Sequence, residues 1–262
     1  MSEADDTLKQ CRPMAASPDS GSGYTLDSIM SPGFRFYQPE KGYRINVDTL
    51  ILYDFARRHV TGRVLEIGSA SGVTSILLSG IAGVEEVTGI ETDGALYGAS
   101  SKNVGLHACA DRVKFVKGDI NAYKSFFKPQ AFHAIVTNPP FYKCGTGVAS
   151  PQKGIDASHH DRTLALEALF RASRYLLRPG GALIMLFSTH RINDVFMNTK
   201  GFTIELLRFV HRTAVKPSDV FLMAARAGSG RQLTIVPPLI VHDGTGYSAE
   251  MAALLNGPIS FT

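Results

Sequence analysis

Seven short apolar runs punctuate the chain, and segments of helical character lie between the first six. The runs are Val64–Ile67, Glu86–Ile90, Val113–Val116, Phe132–Thr137, Ala182–Phe187, Phe202–Val210 and Val220–Ala225. Between them, Val73–Ser79, the stretch from Asp93 to Val104, Ala122–Phe127, Thr163–Leu177 and Ile192–Thr199 read as helices. Such alternation predicts a mainly parallel sheet with helices on both faces. The last two runs are joined only by a loop through Lys216-Pro217-Ser218, so they should pair antiparallel. Ahead of this pattern, Phe34 to Ile45 alternates aromatic and polar residues around Pro39–Gly42 and reads as a β-hairpin. Asp48 then suits a helix N-cap or first turn before Leu50, Ile51, Leu52, Phe55 and Ala56. After it, Leu239 to Gly244 precedes a short helix near Ala249–Leu255. Residues 1–30 are rich in Ser, Asp, Gly and Pro without periodicity. They are expected to be a disordered tail, ordered at most near Tyr24–Met30. Residues 31–262 are expected to form one domain with a hairpin–helix extension at its front.

Composition narrows the class. The chain has 262 residues, 44% hydrophobic and 19% charged, as in a water-soluble globular protein. No run approaches the length of a membrane span, and the polar start lacks a signal-peptide core, so a cytoplasmic protein is expected. Cys11, Cys109 and Cys144 form neither a disulfide framework nor a zinc pattern, and no metal is expected. The net charge of +4 permits a polyanionic partner without demanding one. The cations cluster at Arg57-Arg58-His59, at Arg171, Arg174 and Arg178, and at Arg208, His211, Arg212 and Lys216. Taken singly, each cluster reads as an ordinary solvated helix face or strand end.

The chemistry concentrates where apolar runs end. Asn138-Pro139-Pro140-Phe141 follows the fourth run, at the sheet edge where α/β proteins bind ligands. Asn138 offers an acceptor for a planar amino group, Pro139 and Pro140 stiffen the turn, and Phe141 offers a flat stacking face. The four suit work on an NH2 group conjugated to a π system, although two prolines could also simply cap a strand. After the first run, Glu66-Ile67-Gly68-Ser69-Ala70-Ser71-Gly72 lets backbone approach a ligand at a helix N-terminus. Ala70 at the middle-glycine position makes it a poor dinucleotide fingerprint. Glu66 can sit near a cationic amino-acid headgroup. Glu91, ending the second run, can accept both hydroxyls of a ribose. Asp119 can accept from an adenine amino group, with Ile120 packed on the ring. Each motif has a bland counterpart as a turn or cap; their order at successive strand ends carries the reading.

That order resembles the class I S-adenosylmethionine-dependent methyltransferases acting on amino groups. The resemblance implies a Rossmann-like seven-stranded sheet with an antiparallel C-terminal hairpin. Gln38-Pro39-Glu40-Lys41-Gly42-Tyr43-Arg44-Ile45-Asn46-Val47-Asp48 looks like the entry segment of the bacterial tRNA1(Val) adenine-N6 methyltransferases. The stretches Ser150-Pro151 with Ala157-Ser158-His159-His160-Asp161, and Pro238 to Glu250, also look alike. Ala70 and the His159-His160 run depart from the family pattern. The resemblance covers roughly residues 33–255. It implies S-adenosylmethionine as donor, held by Glu66, Gly68, Ser69, Gly72, Glu91, Asp119, Ile120 and Asn138, with Arg44 and Asp48 contributing. It implies catalysis by Asn138, Pro139, Pro140 and Phe141 and a tRNA partner, for an enzyme expected to be monomeric. Three alternatives stay open: a protein glutamine-N5 methyltransferase, an rRNA guanine-N2 methyltransferase and a non-catalytic RNA-binding scaffold. The first usually carries an N-terminal helical domain, for which residues 1–32 are too short.

Overall fold

The computed structural model describes residues 23–30, 34–139 and 166–256. Pro140, Phe141, the stretch 142–161 and most of the expected tail lie outside them. The first two strands, β1 (Tyr24–Ser28) and β2 (Arg35–Pro39), pair antiparallel. The hairpin is therefore offset from the one read in the sequence. Arg35–Pro39 pairs backward with Tyr24–Ser28, and residues 40–46 make no strand. Pro39 has no N–H to extend a ladder. The Ile45 N–H is taken instead by the Gln38 side chain at 2.7 Å. Part of the expected tail is thus a strand.

Helix α1 (Val47–Ala56) opens with Asn46 as cap, its side chain accepting from the Thr49 N–H, and Asp48 lies in the first turn. Then follow β3 (Gly62–Ile67), α2 (Val73–Ser79), β4 (Val84–Glu91), α3 (Gly94–Leu106), β5 (Val113–Lys117), α4 (Tyr123–Phe126) and β6 (Phe132–Thr137). The second half contains α5 (Leu166–Leu176), β7 (Leu177–Ser188), α6 (Ile192–Asn198), β8 (Phe202–His211) and β9 (Ser218–Ala227). The sheet order is β8-β9-β7-β6-β3-β4-β5. Strands β5, β4, β3, β6 and β7 run parallel, and β9 inserts antiparallel between β7 and β8. This is the expected seven-stranded arrangement. Two short parallel strands, β10 (Thr234–Ile235) and β11 (Leu239–Ile240), extend it at β8. They are too short to leave a periodic signal. A small hairpin, β12 (His242–Asp243) with β13 (Gly246–Tyr247), and helix α7 (Ala249–Asn256) follow.

Strand side chains alternate faces, and both faces are dry. Val64, Val87, Val136 and Ile184 join the core under α1 and α2. Leu65, Ile90, Ile135 and Met185 join the core under α5. Strands buried on both faces read as continuous apolar runs, which is why the sequence displayed them clearly. Helix α5 buries Leu166, Leu169, Phe170, Ser173 and Leu176, a stripe at helical spacing. No helix among the described residues is long and apolar enough to cross a membrane.

Candidate functional site

The strand register brings the motifs together. Ile67 pairs with Thr137 and with Ile90, and Glu91 pairs with Lys117. The chain therefore leaves adjacent strands at Gly68, Glu91, Gly118 and Asn138 along one carboxyl edge. Thr137 ties two of these exits, donating its hydroxyl to the Ile67 carbonyl at 2.9 Å. Gly68 and Asn138 follow directly. Asn138 is half-buried and Pro139 buried.

The turn after β3 is preorganised. Gly68 and Gly72 take φ of +72° and +83°, and Ala70 takes +47°. Glycine adopts this region freely; alanine does so at a cost. A Cβ on Gly72 would sit 2.4 Å from the Phe115 ring, so only glycine fits there. A Cβ on Gly68 would meet nothing within 4 Å, so the turn is open on that side. Ser69 is buried with its hydroxyl unpartnered. Its Cβ lies toward Gly89, where an added Cβ would approach to 2.7 Å. Any ligand contact by Ser69 would thus come from its backbone.

Glu91 is 8% exposed and organises the edge. One oxygen accepts the Ala70 N–H at 2.9 Å; the other accepts those of Thr92 at 2.8 Å and Asp93 at 2.9 Å. Asp93 caps α3 by accepting from Ala95 and Leu96. Asp119 accepts from the Asn121 N–H at 2.8 Å, and Ile120 is buried beside it. Glu66 lies inside, accepting from the Ser75 hydroxyl at 2.5 Å. Burial pushes its pKa up to about 7, against the hydrogen bonds from Ser75 and Thr74. A carboxyl in so dry a place favours its neutral form.

The segment before α1 forms a wall over this edge. Tyr43 keeps 41% of its surface in solvent. Burial raises its pKa against a hydrogen bond with Thr49, and the charges of Asp48, Glu66 and Glu91 add to the rise. Sequence reasoning did not pick Tyr43 as a site residue, and its spacing in the chain carried no signal for it. Asp48 is half-buried, and its pKa is raised by burial and then by the charge of Asp219, the second residue of β9. Arg44 turns the other way. Its guanidinium donates to the Pro39 carbonyl at 2.9 Å, to the Thr25 hydroxyl at 3.0 Å and to Asp27. Gln38 donates to the same Asp27 carboxylate. Gln38, Arg44 and Asp27 thus form a clasp that fixes the backbone next to Tyr43.

Helix α3 anchors the clasp. Asn103, fully buried, accepts the Tyr37 N–H at 2.7 Å and donates to the carbonyls of Tyr37 at 2.9 Å and Ser71 at 2.8 Å. One amide side chain thereby joins the hairpin to the glycine turn.

Comparison with known proteins fits this geometry. The family model described as methyltransferase small domain matches residues 43–206. A tRNA1(Val) (adenine(37)-N6)-methyltransferase of Porphyromonas gingivalis is 26% identical over 229 residues, covering 84% of this chain and 89% of the relative. The enzyme of that name from Photobacterium profundum is 23% identical, covering 86% and 97%. Among solved structures, a predicted O-methyltransferase from Agrobacterium tumefaciens superposes with a TM-score of 0.60 at 17% identity, covering 80% of this chain and 95% of the other. A class I S-adenosylmethionine-dependent methyltransferase from Listeria monocytogenes reaches 0.56 at 13% identity, covering 83% and 74%.

Proposed function

The chain belongs to the methyltransferase small domain family, and from that premise we propose that it methylates the N6 amino group of an adenosine in tRNA. The donor is S-adenosylmethionine, which supplies an electrophilic methyl on a sulfonium. The single observation that carries the acceptor reading is the register that sets Asn138 beside Gly68. It puts an amide acceptor next to the open side of the cofactor turn. The relatives named as tRNA1(Val) (adenine(37)-N6)-methyltransferases, matched over more than four-fifths of both chains, support adenine in tRNA as the acceptor.

The residues present fit the donor. The turn is open above Gly68. The Glu91 oxygen facing Ala70 carries one hydrogen bond and keeps capacity for a ribose hydroxyl. Asp119 and the buried Ile120 stand at the next strand end for the adenine. Gly72 and Ser69 shape the turn, and Glu66 supplies a carboxyl beneath it. Arg44 contributes through the clasp beside Tyr43, and Asp48 through the wall.

The lone pair of an adenine N6 is delocalised into its ring. The Asn138 side-chain oxygen and the Pro139 carbonyl are assigned its two N–H groups as acceptors. They would hold the nitrogen and favour pyramidalisation toward the methyl. Phe141 is assigned the stacking of the base, and Pro140 the stiffness of the turn. Both lie outside the described residues. Bound S-adenosylmethionine would supply the methyl to this nitrogen, its sulfur keeping the electron pair of the S–C bond. The amino group sheds its proton after transfer, so no strong general base is required. Positioning and preorganised dipoles supply the rate. We read the enzyme as a cytoplasmic monomer, and its acceptor base as splayed from a tRNA loop.

Labelled S-adenosylmethionine offered in parallel to bulk tRNA, rRNA and release factors tests this reading. Label is expected in tRNA. Label confined to protein or to rRNA would overturn it.

A further inference from the structure

The carboxyl end of β8 lies on the same sheet edge as Asn138 but three strands away, beyond β7 and β9. The chain there is built firmly. The His211 ring bonds the Lys216 carbonyl at 2.8 Å, and the Lys216 N–H donates to the Thr213 carbonyl at 3.1 Å. Ser218 donates its hydroxyl back to Val210 at 3.0 Å. The C-terminal segment continues alongside: Val241 donates to the His211 carbonyl and His242 to that of Arg212, at 2.8 and 2.9 Å. The β12–β13 hairpin is thereby fixed beside the β8–β9 tip, where the His242 and Tyr247 rings stack at 5.0 Å and 16°.

What this scaffold presents is unusual for a plain turn. Arg212 and Lys216 are exposed, and neither has an ion-pair partner among the described residues. Tyr247 keeps 47% of its surface in solvent although its ring is already held against His242. The neighbouring arginine, Arg208, is instead consumed by a two-oxygen bridge to Glu250 at 2.7 and 2.8 Å. Carboxylates also stand here, Asp243 in the small hairpin and the exposed Asp219 at the start of β9, so the surface is a pair of cations beside a preset aromatic face rather than a bare positive field. Ordered cations beside a rigid stacking ring fit single-stranded nucleic acid: phosphates take the cations and a base takes the ring. An acidic peptide would use the cations and leave the aromatic pair idle.

We propose that the β8–β9 tip and the β12–β13 hairpin form a docking surface for the RNA strand flanking the methylated base. Arg212 and Lys216 bind phosphates, and Tyr247 stacks an unpaired base. The inference rests on RNA being the acceptor.

The test measures binding of labelled bulk tRNA across a salt series, with S-adenosylmethionine binding as the check on folding. Arg212→Gln with Lys216→Gln is expected to weaken tRNA about tenfold and to lower the salt slope by between about 1 and 2, as loss of two phosphate contacts requires. Tyr247→Ala is expected to weaken it by about tenfold with the slope unchanged, since stacking releases no counterions. Lys128→Gln with Lys200→Gln, at the opposite edge of the sheet, should change neither. Unchanged tRNA affinity and slope in the first two variants, with cofactor binding intact, would overturn the docking surface alone. Failure of the unaltered protein to bind tRNA would overturn both the surface and the acceptor reading.

Discussion

The backbone N–H of Ala70 donates to the Glu91 carboxylate at 2.9 Å, and it does so from a left-handed conformation with φ of +47°. The glycine turn and the ribose-binding position are therefore one unit. The strain of a non-glycine residue there is accepted to aim the amide at the acid. Ala70→Gly should relieve it, raising stability by about 1 kcal/mol after allowance for the greater freedom of glycine in the unfolded chain. S-adenosylmethionine affinity should hold within about twofold. Thermal unfolding and calorimetric titration check both; a lower melting temperature would contradict this reading of the turn.

Glu91 serves the ligand and the turn together, so charge removal should be felt mainly in binding. Glu91→Gln keeps an acceptor oxygen but loses the charge that strengthens ribose hydrogen bonds. The Kd for S-adenosylmethionine should rise by about tenfold or more. Glu91→Ala also strands the N–H groups of Ala70, Thr92 and Asp93 and should cost a further ~1–3 kcal/mol of stability. Equal affinities for Glu91→Gln and the unaltered protein would remove Glu91 from the cofactor site.

Glu66 predicts a pH dependence. Its folded pKa of about 7 stands above its ordinary value of 4.5 because burial disfavours the charged form. The folded state therefore holds more protons than the unfolded one between those values, and stability falls as pH rises through that window. Below it the group is neutral in both states and contributes nothing. Above it the loss levels off at about 3 kcal/mol. Denaturant melts at pH 4.5, 6 and 8 should show Glu66→Gln, which keeps an acceptor for Ser75, losing less stability over this range than the unaltered protein. Parallel curves would contradict the assignment.

Much of this was legible in the chain. Strands buried on both faces, such as Val64–Ile67 and Phe132–Thr137, announce themselves as apolar runs, and their ends mark the carboxyl edge. Asp93 was readable as the start of a helix, and it caps α3 by accepting from the N–H groups of Ala95 and Leu96. The partner of Arg35–Pro39 was not readable. Tyr24–Ser28 sits in a polar stretch, and its pairing is fixed by Asp27, Gln38 and Arg44, contacts that local pattern does not encode. For the same reason Arg44 read as a ligand residue, whereas its guanidinium serves the clasp. Tyr43 feels the charges of Glu66 and Glu91 from the segment that this clasp holds, so no spacing rule could have found it. Strands β10 and β11, two residues each, are held by the free edge of β8 rather than by any propensity of their own.

The central claim is that Asn138 holds an adenine amino group of tRNA for methyl transfer. Nucleoside mass spectrometry of tRNA incubated with S-adenosylmethionine, with the unaltered protein and with Asn138→Ala, tests it most directly. The unaltered protein should produce N6-methyladenosine. Asn138→Ala should bind the cofactor within about threefold of normal yet lose about 100-fold or more in turnover, the scale of losing one preorganised polar contact to the transition state. N6-methyladenosine formed at an undiminished rate by Asn138→Ala, or a methyl group found on guanine N2 instead, would contradict the account.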